Sequence, residues 1–124
     1  MKIAYNTPRM KRNAIPEYDL HPAGASTEDA LATLERIVAS ARRGNARVFV
    51  LITGYGSSGG TAKIKSAVVA KCRKYLAQRH IRGFLDGEFA GDIFSQQYMA
   101  FPAAAEIPVS YKRSPNPGIV FVCV

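Results

Sequence analysis

The pattern of apolar and polar residues changes its period along this chain, and the changes predict strands and helices in turn. Apolar runs at Val48–Ile52 and Gly118–Val124 are typical of strands, and the first is unbroken enough to be buried on both faces. Elsewhere apolar residues recur at every third or fourth position, which is the spacing of an amphipathic helix. One such helix follows Ser26 and ends near Gly44, and a second runs from about Thr61 to Gln78.

Shorter segments complete the predicted fold. Residues 17–21 and 81–86 are typical of two further strands. Residues 87–117 form an insert, in which we expect a short helix at 92–101 and a hairpin at 109–112. The prediction is an α/β, or two-layer α+β, fold: a four-stranded mixed sheet with two helices, in the order β-α-β-α-β-β, with the insert before the last strand.

Both helices carry further signals. Ser26 stands three residues before Asp29, which predicts a capped helix start, and Gly44 is the natural left-handed stop. In the second helix one apolar stripe is predicted to face the core: Ile64, Val68, Cys72, Tyr75 and Leu76.

Length and charge narrow the class of protein. With 124 residues, 48% of them hydrophobic, we expect one globular domain (17–124) preceded by a flexible basic arm (1–16). The net charge is +8: the arm contributes +4 and residues 47–86, with eight bases and one acid, contribute +7, while the rest of the chain is net acidic. Positive charge segregated in this way favours a polyanionic partner, most commonly nucleic acid, over a basic pI kept for solubility.

Cysteine usage and hydropathy argue against a disulfide-rich, secreted or membrane protein. Two cysteines, Cys72 and Cys123, are too few for a disulfide scaffold and are expected to be buried thiols. Without a signal-like or membrane-spanning apolar run, we expect a cytoplasmic protein that has no membrane partner. No cofactor is indicated, and two close ligands, Asp19 and His21, do not define a metal site.

A glycine-rich segment joins the buried strand to the basic helix. Its glycines permit positive φ and close backbone approach, and amides between a strand end and a helix start can hold a phosphate. The segment lacks the Gly-Lys-Ser/Thr of a P-loop, which favours the phosphate backbone of a nucleic acid over a mononucleotide; the structural alternative is a tight βα turn. The predicted nucleic-acid contacts are Thr53, Gly54, Tyr55, Gly56, Ser57, Ser58, Gly59, Gly60, Lys63, Lys65, Lys71 and Lys74.

Asp19 and His21 are the candidate catalytic residues. Their spacing on a strand places both side chains on one face, near the carboxyl end, where ligand sites of α/β folds form. A carboxylate can orient the imidazole, which then moves protons in phosphodiester cleavage. The alternative is a surface histidine that happens to have an acidic neighbour. His80, near the end of the second helix, is expected to have a dipole or capping role.

These motifs together resemble the small MutS-related (Smr) domain family. Asp19 and His21 match that family's first element, whose Asp and His are implicated in cleavage, and Gly54 and Gly56 match the glycines of its second element. The sequence departs from the family at three positions: Tyr18, Pro22 and Thr53. The resemblance implies a fold like the C-terminal domain of translation initiation factor 3, binding of DNA or RNA, and endonuclease activity in some members.

Three functions therefore stand as hypotheses. The first is an Smr-like nucleic-acid-binding domain that is also a candidate endonuclease. The second is a non-catalytic module that docks on a ribosome or a protein through the aromatic residues of the insert: Phe89, Phe94, Tyr98, Phe101 and Tyr111. The third is a small phosphate or nucleotide site on the glycine-rich segment. DNA or RNA preference and the oligomeric state stay open.

Overall fold

A four-stranded mixed sheet is the centre of the computed structural model, which describes residues 15–22, 24–54 and 59–124. The strands are β1 (Glu17–Asp19), β2 (Val48–Ile52), β3 (Gly83–Asp86) and β4 (Ile119–Cys123), in the spatial order β1-β2-β4-β3. β1 runs parallel to β2, whereas β4 is antiparallel to both β2 and β3. The coarse prediction of an α/β protein with a four-stranded mixed sheet is confirmed.

The first helix, α1 (Thr27–Ser40), begins and ends as its sequence predicts. Ser26 Oγ accepts the amide of Asp29 at 3.0 Å, and Asp29 Oδ2 accepts the amide of Ser26 at 3.1 Å, which forms a complete capping box. These hydrogen bonds lower the pKa of Asp29. The helix continues into a wider π-helical turn and stops at Gly44, whose φ is +103°.

The second helix, α2 (Gly59–Ala77), follows β2 and packs against α1. Four of the five predicted stripe residues are buried, but Leu76 is 41% exposed, so its place in the stripe is a wrong prediction. Leu76 lies about 100° beyond Tyr75 around the helix axis, which takes it past the edge of the contact with the sheet.

Apolar strands require cover on both faces, and two different layers provide it. α1 and α2 cover one face in a core that includes Tyr18, Leu34, Phe49, Leu51, Val68, Val120 and Val122. The insert covers the other face in a core that includes Val50, Leu85, Phe101, Ile107, Ile119 and Phe121. The prediction of two layers is therefore wrong: the described chain has three layers, because β2 and β4 are apolar on both of their faces.

The insert contains two short helices, α3 (Gln96–Ala100) and α4 (Val109–Arg113), and two 3-10 turns. The expected helix before Pro102 is present, while the hairpin expected at 109–112 is wrong because that stretch is α4. Tyr111 of α4 packs edge-on against Phe121 with ring centroids 5.1 Å apart, and its hydroxyl donates to the Glu17 carboxylate. α4 therefore ties the insert to the first and last strands.

Close backbone approach holds the insert on the sheet. A Cβ at Gly87 would overlap the Asn116 carbonyl oxygen and the Ile119 side chain, and one at Gly91 would overlap the Lys112 carbonyl oxygen. Glycine is thus required at both positions by packing rather than by φ.

Cys72 and Cys123 are free and buried, as expected. In the part of the chain that the structure describes, no helix combines the length and apolar content needed to cross a membrane. The predicted basic arm lies almost wholly outside the described residues, which begin at Ile15.

Candidate functional site at the carboxyl edge of the sheet

One edge of the sheet gathers most of the predicted site residues. Because β1, β2 and β3 point the same way, their carboxyl ends meet at this edge, together with the amino end of β4. We call it the carboxyl edge; it carries Asp19, Thr53, Gly54, Asp86 and Gly118. The first turns of α2 rise beside it, so the edge combines acidic, glycine and lysine positions that are far apart in the sequence.

Asp19 and His21 form a close pair at the end of β1. Asp19 Oδ1 lies 2.7 Å from His21 Nδ1 and accepts the backbone amide of His21 at 2.8 Å. Nδ1 is buried and makes no hydrogen bond with the geometry of a ring N–H donor, so its contact with Asp19 is a close polar approach. With 28% of the His21 side chain exposed and Nδ1 covered, Nε2 is the ring nitrogen left for a ligand.

The pair stands beside the start of the glycine-rich segment. Asp19 is in register with Ile52, and the Leu20 amide donates to Ile52 O at 2.9 Å, which holds the chain just before His21 against the end of β2. Gly54 has φ +70°, which confirms the predicted positive φ at this glycine. The backbone amides of Thr53 and Gly54 both donate to Gly118 O, at 2.8 and 3.0 Å. β4 therefore fixes the geometry with which β2 leaves the sheet.

Thr53 is part of the buried backbone network at the end of β2 and is not on the surface. Its side chain is fully buried, and its hydroxyl lies 2.9 Å from Gly54 O and 3.1 Å from Gly118 O, able to donate its single hydrogen to either. The prediction that Thr53 contacts nucleic acid directly is wrong, because neither its side chain nor its amide is available to a ligand.

The four predicted phosphate-binding lysines have three different surroundings. Lys63 and Lys74 are exposed on the side of α2 that faces away from the core. Lys71 is half-buried, with Nζ 5.3 Å from the centre of the Tyr75 ring. Lys65 is only 19% exposed and its Nζ lies 2.9 Å from Asp86 Oδ2, at the end of β3. The structure thus pairs Lys65 with a carboxylate, which competes with the predicted phosphate contact.

Part of the glycine-rich segment lies outside the described residues. Tyr55, Gly56, Ser57 and Ser58 are in that gap, whereas Gly59 and Gly60 form the first residues of α2. The prediction that this segment holds a phosphate at the helix start stays a prediction.

Comparison with family models, curated proteins and solved structures finds no significant match. The resemblance to the Smr family therefore rests on its motif residues alone. Among the described residues, no three His, Cys, Asp or Glu side chains are placed together as metal ligands.

The glycine-rich segment also contains a motif that the predictions from sequence did not include. Gly54-x-Gly56-x-x-Gly59 has the spacing of a dinucleotide-binding turn, between a strand and a helix. In that fold the next strand of the chain lies beside the first and is followed by the acid that binds the ribose. Here β4 separates β2 from β3, and the acid that ends β3, Asp86, is paired with Lys65. Both observations disfavour a dinucleotide.

Proposed function

We propose that this domain binds nucleic acid at the carboxyl edge and cleaves its phosphodiester backbone with His21 and Asp19. The observation that carries the proposal is the 2.7 Å contact between Asp19 Oδ1 and His21 Nδ1 beside a glycine-rich strand end. A carboxylate behind one imidazole nitrogen, with the other nitrogen open to a ligand, is an arrangement used for general acid–base catalysis.

The proton movements follow from this geometry. Neutral His21 takes a proton at Nε2 from the attacking hydroxyl, which is water or, in RNA, the ribose 2′-OH. The resulting imidazolium is stabilised by the adjacent Asp19 carboxylate and can return the proton to the leaving oxygen. Because the same carboxylate also accepts the His21 amide, it fixes the side chain and the backbone of the histidine together.

Binding is assigned to the exposed cations of α2. Lys63, in the first turns of the helix, and Lys74, near its end, are exposed on one side and free of ion pairs within the described part of the chain. Such residues bind phosphates without reading sequence, and the interaction weakens as salt rises, because releasing condensed counterions then gains less free energy. The resemblance of Asp19, His21, Gly54 and Gly56 to the Smr motifs supports the same assignment.

The two histidines provide a matched test of cleavage. End-labelled RNA and DNA, each single- and double-stranded, are incubated with the wild type, His21→Ala and His80→Ala, with and without magnesium. His80 stacks on Tyr75 with ring centroids 5.9 Å apart, at the other end of α2, so its loss should not affect cleavage. We expect cleavage by wild type and His80→Ala and none by His21→Ala. Equal cleavage by all three would remove the catalytic assignment.

Binding is measured separately at two salt concentrations. We expect affinity to fall steeply as salt rises, and His21→Ala to retain it. An interaction that does not respond to salt would contradict the binding assignment.

A second function, docking on a protein through the insert, is favoured by exposed apolar side chains in and just before α3. Phe94 is 83%, Met99 65% and Ile93 53% exposed. Of the other aromatic residues predicted for this contact, Phe101 is buried, and Phe89, Tyr98 and Tyr111 are partly buried against the core on the insert side of the sheet. Phe94→Ser should abolish capture of such a partner at high salt, while Lys63→Gln should not.

A further inference from the structure

A basic cavity lies at the opposite edge of the sheet, where α1 and α2 end and β2 and β3 begin. Its volume is about 370 Å³, and its apolar lining includes Ile81 and Val124. Five basic side chains line it: Arg42, Arg47, Arg79, His80 and Arg82. A cavity of this size accommodates a small ligand or one nucleotide of a longer chain.

The basic residues reach this cavity from four separate segments. Arg42 follows α1, Arg79 follows α2, and Arg47 and Arg82 precede strands on either side of β4. The last strand fixes two of them: the Arg82 amide donates to Cys123 O at 2.7 Å, and the Val124 amide donates to Arg47 O at 2.9 Å. Their convergence is therefore imposed by strand pairing and not by proximity in the sequence.

The positive charge of this cavity is only partly balanced. Arg47 pairs with the Glu106 carboxylate. Arg42, Arg79 and Arg82 are exposed and make no ion pair within the described chain. A single arginine at a helix end is explained by the negative end of the helix dipole. Three unpaired guanidinium groups around one cavity repel one another, and a bound anion would offset that repulsion.

Arg79 adds a second observation, because its backbone is left-handed, with φ +62°. The Arg79 amide donates to Leu76 O and the His80 amide to Tyr75 O, so this residue occupies the helix-ending position that glycine fills without strain. An arginine in this strained conformation, on the rim of a basic cavity, is the kind of backbone outlier that points to a binding site.

We propose that this cavity binds a phosphate group through Arg42, Arg79 and Arg82. Guanidinium groups match phosphate oxygens with paired hydrogen bonds, which makes arginine the favoured residue for this anion. The phosphate belongs either to a small molecule or to a nucleic acid, since both present the same chemistry. The five residues of β2 separate this site from the carboxyl edge by about 17 Å, so it is distinct from the proposed cleavage site.

The test follows the arginine side-chain N–H signals by NMR in the wild type, Arg82→Gln, Arg79→Gly and the control Arg113→Gln. Arg113 is exposed at the end of α4 and does not line the cavity. Each protein is titrated with inorganic phosphate, adenosine monophosphate, and one oligonucleotide with or without a 5′ phosphate. Arg79→Gly also relieves the left-handed strain, so we expect it to fold with a melting temperature about 3 °C higher.

We expect saturable shifts of the signals from the cavity arginines, and affinity about tenfold weaker in Arg82→Gln and Arg79→Gly but unchanged in Arg113→Gln. Tighter binding of the oligonucleotides than of the small anions would assign the phosphate to nucleic acid, and similar binding would assign it to a small molecule. Either result supports the site. The proposal is overturned if no probe gives saturable shifts there, or if the control weakens binding as much as the cavity variants.

Discussion

Asp19 and His21 are joined twice through one carboxylate oxygen: Asp19 Oδ1 is 2.7 Å from the ring nitrogen Nδ1 and 2.8 Å from the backbone nitrogen of His21. The two contacts fix the histidine's position after β1 and leave Nε2 as its open ring nitrogen. Substitutions at Asp19 can therefore separate its effect on the position of His21 from the effect of its negative charge on cleavage.

Asp19→Asn should preserve the structure and lower cleavage. The amide oxygen can still accept the His21 backbone N–H, but a neutral side chain cannot stabilise the imidazolium formed during proton transfer. We expect the cleavage rate to fall by about 100-fold or more, with nucleic-acid affinity unchanged. Single-turnover cleavage assays measure the rate, and Glu28→Gln, an exposed acid in the first turn of α1, is the control. An unchanged rate in Asp19→Asn would mean that the carboxylate has no catalytic effect.

Lys63→Gln and Lys65→Gln should affect different properties of the protein: the first its nucleic-acid binding, and the second its stability. Lys63 is exposed, so its loss should weaken binding and reduce the slope of log affinity against log salt by about one. Lys65 holds the partly buried Asp86 carboxylate, so its loss should cost about 1–2 kcal/mol of the free energy of unfolding. Urea unfolding and salt-dependent binding, measured on both variants, give the comparison. Equal loss of affinity in the two variants would show that Lys65 leaves Asp86 to contact phosphate.

Thr53→Val should affect stability but not binding. The substitution removes a buried hydroxyl hydrogen bond to the Gly54 or Gly118 carbonyl and should cost about 1 kcal/mol. Nucleic-acid affinity should stay the same, because the side chain is fully buried. Thr53→Ser, which keeps the hydroxyl, serves as the control. A loss of affinity in Thr53→Val without a loss of stability would restore the predicted direct contact.

Gly87→Ala should loosen the insert from the sheet. Its Cβ would meet the backbone oxygen of Asn116, which cannot move away as a flexible side chain would, and we expect a loss of about 2–3 kcal/mol. Denaturant unfolding measures it, with Glu88→Ala, at the exposed neighbouring position, as the control. Wild-type stability in Gly87→Ala would contradict the close packing of this turn.

Stability should fall in alkali because of Cys72. Burial raises the pKa of the Cys72 thiol to about 12, whereas a thiol in the unfolded chain titrates near about 8.5. Between these values the unfolded protein loses a proton that the native protein keeps. The free energy of unfolding should therefore decrease as the pH rises through this window, by about 1.4 kcal/mol per pH unit from this thiol.

Urea unfolding at about pH 8 and about pH 10 measures this slope in the wild type and in Cys72→Ala. Burial also raises the pKa of Tyr18, Tyr75 and Cys123, so the variant should keep a shallower slope of the same sign. Identical slopes in the two proteins would show that Cys72 does not control the alkaline transition.

The local elements were determined by the sequence because their signals act over a few residues. Ser26, Asp29 and Gly44 set the ends of α1 through hydrogen bonds and φ preference, and the apolar run of β2 specified a strand buried on both faces. The sequence also brought Asp19 and His21 together, but for a different reason than strand spacing: β1 ends at Asp19, and the pair is held by a turn in which Asp19 Oδ1 accepts the His21 amide.

Only the tertiary structure decided what covers that second face and which charges are free. The insert carries no long periodic pattern, so its role as a third layer becomes visible only when Phe101 and Ile107 meet the sheet. Lys65 and Lys63 look alike in the sequence, and pairing with Asp86, which is 21 residues away, distinguishes them. The arginines of the basic cavity come together through strand pairing. Contacts of this kind depend on the positions of segments that are distant along the chain, which short-range preferences do not encode.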